Sequence, residues 1–164
     1  EAAALGPCQI ANDNGGGQLV ISGGKAAVEK AAALATEKGA KRAIMLPVSA
    51  PFHSALMGPA ADAMREALAK VEKKDPVVPL IANVRAAPVT SAAEIADLLV
   101  EQVTGQVRWR ETVEWFGANA VSVLYEIGAG KVLTGLVRRI DKNITGTAVN
   151  SPADIEAALT ALLA

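Results

Sequence analysis

The chain is short of the residues that often carry chemistry on their own. It has one cysteine, Cys8, which excludes an intrachain disulfide and fits a reducing cytoplasm. It has one histidine, His53, and only 3% aromatic residues. No apolar run reaches the length of a membrane span and no signal peptide is visible, so no membrane association is expected and the cytoplasm is the expected compartment. Charge of neither sign dominates. Sixteen Lys and Arg (16) stand against 17 Asp and Glu, which removes the electrostatic reason for binding nucleic acid or an anionic surface. What is present is a chain of 164 residues, 51% apolar and 20% charged. That is enough for one domain with a real core, or one domain plus a small appended layer.

The stretch LPVSAPFHSALM, Leu46 to Met57, holds the only histidine. Pro47 and Pro51 exclude helix just before it, because each restrains its own φ and pushes the preceding residue toward extended geometry. His53 is therefore expected on a loop. A helix is expected after it, since Met57, Ala61, Met64, Leu68 and Val71 recur at intervals of three and four, with Asp62, Arg65, Glu66, Lys70 and Glu72 on the other face. Histidine exchanges protons near neutral pH, so a loop histidine backed by a buried helix suits a general base. On spacing alone, a hydrogen-bonded structural histidine is the commoner case.

Residues 1–5 read as the last turn of an alanine-rich helix stopped by Gly6 and Pro7. With no start to that helix and no initiator methionine, the chain reads as the C-terminal part of something longer. Short strands are expected at 8–11 and 18–22 around a glycine-rich turn, then a helix over 25–38 and a strand over 42–48. That order is most of a split βαβ layer of ferredoxin-like type, lacking its first strand and most of its first helix. It sets residues 1–48 apart from 49–164. In the second part, 77–84 is an apolar run suited to a buried parallel strand, and Ser91 with Glu94 has capping-box spacing before the next helix. Trp109, Val113 and Phe116 form one helical face. A strand over 121–127, a helix with apolar Val132, Leu133, Leu136, Val137 and Ile140, a strand over 144–149 and a last helix capped by Ser151 follow. Alternating strands and helices argue for a parallel sheet covered on both faces. Gly128, Gly130 and Lys131 lack Walker spacing and read as a turn.

Four segments carry a family resemblance, in order along the chain. ANDNGGGQLVISG is similar to an NxNSPxQxVISG segment at Asn12, Asn14, Gln18 and Ile21 to Gly23, with Gly15 and Gly16 in place of Ser-Pro. SAPFHSALM resembles a histidine motif. VEQVTGQVRW is similar to QLxxPVRW at Gln102, Val107, Arg108 and Trp109, and YEIGAGKVLTGLVRRI to EVGPGKVLTGLxxRI; Gln106 and Ala129 stand where proline is usual. The family is that of the malonyl-CoA:acyl-carrier-protein transacylases and the acyltransferase domains of fatty-acid and polyketide synthases.

The resemblance implies an α/β fold: the C-terminal part of an α/β hydrolase-like acyltransferase domain (49–164) with a parallel sheet, plus an incomplete ferredoxin-like small subdomain (1–48). It implies malonyl transfer from coenzyme A to the pantetheine thiol of acyl carrier protein through an acyl-serine, in fatty-acid biosynthesis. His53 would be the base, held by the backbone carbonyl of Gln102. Phe52 and Asn14 would line the substrate pocket, with Phe52 favouring malonyl over a branched acyl group. Lys41 and Arg42 would face the acidic carrier protein. Malonyl-CoA and the phosphopantetheine carrier enter as substrates, and no metal or other cofactor is implied.

The family's nucleophilic serine sits in a G-H-S-x-G elbow, and no G-x-S-x-G occurs in this sequence. Ser22 lacks the first glycine, Ser54 is merely adjacent to His53, and Cys8 reads as a small buried hydrophobe. The arginine that pairs the malonyl carboxylate is likewise expected outside these residues. The chain alone is therefore expected to be inactive. The alternatives are a non-catalytic acyltransferase-like binding fragment and an α/β hydrolase.

Overall fold

The computed structural model describes residues 1–163, which form two compact units, residues 1–14 with 18–109, and residues 15–17 with 110–163. The first unit opens on a 3-10 turn, Ala2–Leu5, that stops at Gly6. Strands β1 (Cys8–Asp13) and β2 (Leu19–Gly23) pair antiparallel, with Ile10 opposite Ile21 and a register shift between Ile10 and Asn12. Gly23 closes the ladder at φ 154°, where a Cβ would collide with the Pro7 carbonyl, so glycine is required there. Past the shift, β1 turns to Val107: the Val107 N–H donates to Ala11 O at 2.7 Å and the Asp13 N–H to Val107 O at 2.9 Å. Two of the segments that carry the resemblance thus lie side by side. Helix α1 (Lys25–Glu37) follows and buries Ala27 completely.

The expected strand over 42–48 does not form. Extended backbone needs a neighbour to take its N–H and C=O groups, and no strand runs beside it among the described residues. Pro47 also removes one donor. Ile44, Met45, Leu46 and Val48 consequently stay more than half exposed.

A 3-10 turn, Ala55–Met57, leads into α2 (Gly58–Ala69), as the apolar spacing after His53 predicts. Its buried contact is Ala61, and Val71 lies beyond its end.

The apolar run 77–84 is also not a buried parallel strand. Only Leu80–Ala82 (β3) is extended, paired antiparallel with Ala87–Val89 (β4), and Val77 is fully exposed. The cause is a tight reversal: the Arg85 and Ala86 N–H groups both donate to Ala82 O, at 3.0 and 2.7 Å, with Ala86 at φ 52°.

Helix α3 (Ala92–Thr104) packs Leu98 onto Ala82 and Val89, with Val84 and Ile95 against them. The capping box expected from Ser91 and Glu94 is absent. Glu94 instead pairs with Arg85 of the hairpin turn at 2.8 Å, and Asp75 Oδ1 accepts the Ala92 N–H at 2.7 Å. A guanidinium outcompetes a neutral N–H for a carboxylate.

The second unit contains α4 (Trp109–Ala118) from its second residue on, β5 (Val123–Ile127), α5 (Val132–Ile140), β6 (Thr145–Val149) and α6 (Pro152–Leu163). β5 and β6 are parallel, from Val123 opposite Thr145 to Ile127 opposite Val149, joined by α5 as a βαβ unit. The expected parallel pairing is present, within one of three two-stranded sheets among the described residues. Val113, Leu136, Val137, Ile144 and Val149 are buried.

Two carboxylates close helix starts in this unit. Glu126 accepts the Leu133 N–H at 3.0 Å, and the Thr134 N–H and hydroxyl at 2.8 and 2.7 Å. Asp154 accepts the Asn150 and Ser151 N–H groups, while its own N–H donates to Ser151 Oγ at 3.3 Å, a reciprocal cap at the helix start that Ser151 and Pro152 mark in the sequence.

Leu98→Ala is expected to cost roughly 2–5 kcal/mol, read from the denaturant midpoint, because a buried leucine leaves both lost contacts and a cavity. The Thr134 N–H, followed by its hydroxyl and the neighbouring N–H groups, lowers the proton affinity of Glu126 below the ordinary value. The folded state therefore gains from the ionised carboxylate above the ordinary glutamate range and loses that gain as pH falls through the folded value. Glu126→Gln should flatten the acid limb of the stability curve relative to the unsubstituted protein, measured by thermal melts across that range.

Candidate active site

His53 lies on the loop before α2, with its backbone at φ 55°. A non-glycine residue there typically stores on the order of 1–3 kcal/mol and persists only when its surroundings over-determine it. They do so here. On one side the Phe52 N–H donates to Ala50 O at 2.9 Å. On the other, Ser54 is completely buried and its hydroxyl donates to Pro51 O at 2.7 Å. That bond engages Ser54 as an anchor for the turn.

Gln9 of β1 completes the frame. Its Nε2 donates to His53 O at 3.2 Å and to Thr104 O at 3.1 Å, and its Oε1 accepts the Ala55 N–H at 3.1 Å.

His53 is half-buried, and its Nδ1 lies 3.1 Å from the Gln102 carbonyl oxygen. Gln102 belongs to the last turn of α3, where carbonyls have no intrahelical N–H to accept. The helix end thus offers a free acceptor, and the imidazole takes it. A carbonyl carries no proton, so the neutral ring must hold its proton on Nδ1, leaving the Nε2 lone pair available.

The Gln102 side chain supports this arrangement. Its Nε2 donates to Gly105 O at 3.2 Å and stands 3.5 Å from Nδ1, too far to compete with the carbonyl. Gly105 fits only because it has no side chain: a Cβ would lie 2.8 Å from Val84 Cγ2 and 2.9 Å from Glu101 O. Among the described residues His53 Nε2 has no hydrogen-bond partner. An imidazole in this state can accept a proton from an incoming hydroxyl or thiol and return it.

Of the residues singled out in the sequence, the structure brings His53 and Gln102 into contact and leaves Phe52 beside the histidine, 47% exposed. Asn14 follows β1, its N–H donating to Gln18 O at 3.1 Å, and among the described residues it makes no hydrogen bond to His53. Lys41 and Arg42 are exposed on the irregular segment after α1. Cys8 is half-buried at the start of β1. Gln9 escaped the sequence reading because its partners lie 44, 46 and 95 residues away and no local spacing marks it.

No family model matches the chain. Over 149 residues it is 50% identical to the malonyl CoA-acyl carrier protein transacylase of Salmonella typhimurium, covering 91% of this chain and 48% of that protein. The crystal structure of the acyl-carrier-protein S-malonyltransferase from Bartonella henselae matches with a TM-score of 0.94 at 61% identity, covering 99% of this chain and 52% of that one. A malonyl-transacylase solved in complex with its type II PKS acyl-carrier protein matches with a TM-score of 0.92 at 42% identity, over 98% of this chain and 52% of that one. The chain spans about half the length of the relatives it matches. By sequence and by fold the chain is a homologue of about half of a malonyl CoA-acyl carrier protein transacylase.

Proposed function

We propose that this chain is the histidine-bearing part of an enzyme that moves a malonyl group from coenzyme A to the pantetheine thiol of acyl carrier protein, in fatty-acid biosynthesis. The observation that carries the reading is the 3.1 Å contact of His53 Nδ1 with the Gln102 carbonyl, which leaves Nε2 free. In the first half-reaction a serine hydroxyl attacks the thioester carbonyl carbon while Nε2 takes its proton. The C–S bond breaks, and the imidazolium returns that proton to the departing coenzyme A thiolate. In the second, the carrier thiol gives its proton to Nε2 and attacks the acyl-serine ester, and the serine oxygen leaves and is reprotonated. One imidazole serves both halves because each begins and ends with the same neutral ring.

The nucleophilic serine and the arginine that pairs the malonyl carboxylate lie outside these residues in this reading. Its finer assignments are Phe52 and Asn14 on the acyl pocket, Lys41 and Arg42 toward the carrier protein, residues 1–48 as an incomplete ferredoxin-like layer and 49–164 as part of the larger domain. Placement of the enzyme in the cytoplasm, without metal or other cofactor, belongs to the same proposal. The carrier-bound relative supports the choice of partner.

The chain by itself should give no malonyl transfer to carrier protein above background. Completed with the half it lacks relative to its relatives, the enzyme should lose about 10²–10⁴-fold in kcat on His53→Ala, the usual worth of a general base. Gln102→Ala should cost less than about tenfold, since it removes one side-chain hydrogen bond and leaves the backbone carbonyl in place. Undiminished malonyl transfer by the completed His53→Ala enzyme would overturn the assignment. A thioesterase activity without transfer would favour a hydrolase.

A further inference from the structure

We infer that Gln9 is a positioning residue for His53, an inference whose catalytic consequence rests on the proposed role of that histidine. One carboxamide makes three hydrogen bonds, and each lands on backbone that matters to the imidazole. His53 O accepts from Nε2 at 3.2 Å, which holds the residue whose φ is 55°. The Ala55 N–H donates to Oε1 at 3.1 Å, which grips the chain two residues further on. Thr104 O accepts the second Nε2 proton at 3.1 Å, two residues past Gln102, the residue whose carbonyl holds Nδ1.

The imidazole and its acceptor come from separate segments, the loop and the end of α3. Gln9 ties both to a third, the paired strand β1. It also occupies the Thr104 carbonyl, one of the free acceptors of the same helix end, so that acceptor is not open to other donors. The bonds use both amide protons and the oxygen, so an isosteric side chain without them leaves the loop unfastened while still filling the space.

Alanine shortens the side chain and methionine keeps its bulk; both remove all three bonds. Glutamate keeps the acceptor for Ala55 but sets a carboxylate against two carbonyl oxygens. If the carboxamide aims the ring, these variants should lose turnover and leave substrate binding nearly intact, because a misplacement of about 1 Å at a reacting group can cost ~10²-fold.

The experiment has two arms. In the completed enzyme, Gln9→Met should lower kcat by about 10- to 100-fold with the KM for malonyl-CoA within about twofold, and Gln9→Glu should lower it at least as much. In this chain, which has a single histidine, the imidazole nitrogen signals of Gln9→Met should move from the Nδ1–H form toward an average of both tautomers. Gln9→Ala provides the second variant should methionine perturb packing, with retained backbone amide dispersion as the folding control. Folded Met and Ala variants with unchanged imidazole signals, or unchanged kcat in an enzyme that His53→Ala inactivates, would overturn the inference. Altered imidazole signals in an enzyme whose activity survives His53→Ala would leave the positioning role standing and remove the proposed function instead.

Discussion

The structure around the candidate site depends on one unmet need at the end of a helix. The last carbonyls of α3 lack intrahelical partners, and three of them find one outside the helix interior: Glu101 O takes the Gly105 N–H, Gln102 O the His53 ring and Thr104 O the Gln9 amide. The contact at Gln102 orients the imidazole in a way usually assigned to a carboxylate, by accepting the Nδ1 proton. A neutral acceptor adds no full charge beside the ring. It is also main chain, so its position follows from the seating of α3 on Ala82 and Val89 through Leu98 rather than from a rotamer.

The loop is arranged to meet that carbonyl at a local cost. His53 sits in a backbone region that residues other than glycine visit rarely, and asparagine, aspartate and histidine are the side chains that do so most readily. The buried Ser54 hydroxyl and the Gln9 carboxamide supply the bonds that hold it there. In this half-buried residue one nitrogen is engaged and the other has no hydrogen-bond partner among the described residues, which is the combination proton transfer needs.

The sequence showed the parts whose signals are local. Apolar spacing located α2, α5 and the helix begun by Trp109, and the Ser151–Pro152 pair marked the start of α6. Two prolines placed His53 on a loop, and the resemblance of VEQVTGQVRW pointed to the Gln102 carbonyl. What could not be read depended on distant partners. The apolar character of residues 42–48 and 77–84 is real, but a strand exists only where another runs beside it, and the Arg85–Ala86 turn cuts the second run short. Ser91 and Glu94 had capping spacing, yet Arg85 claimed the glutamate. Gln9 is the clearest case: a polar residue on a strand gives no hint that its amide reaches 95 residues along the chain.

The most direct test of the account is the tautomer of the single histidine, read from the imidazole nitrogen signals of the unsubstituted protein at a pH where the ring is neutral. The account predicts a proton on Nδ1 and a bare Nε2. A ring that carries its proton on Nε2 would place a lone pair against the Gln102 carbonyl and contradict it.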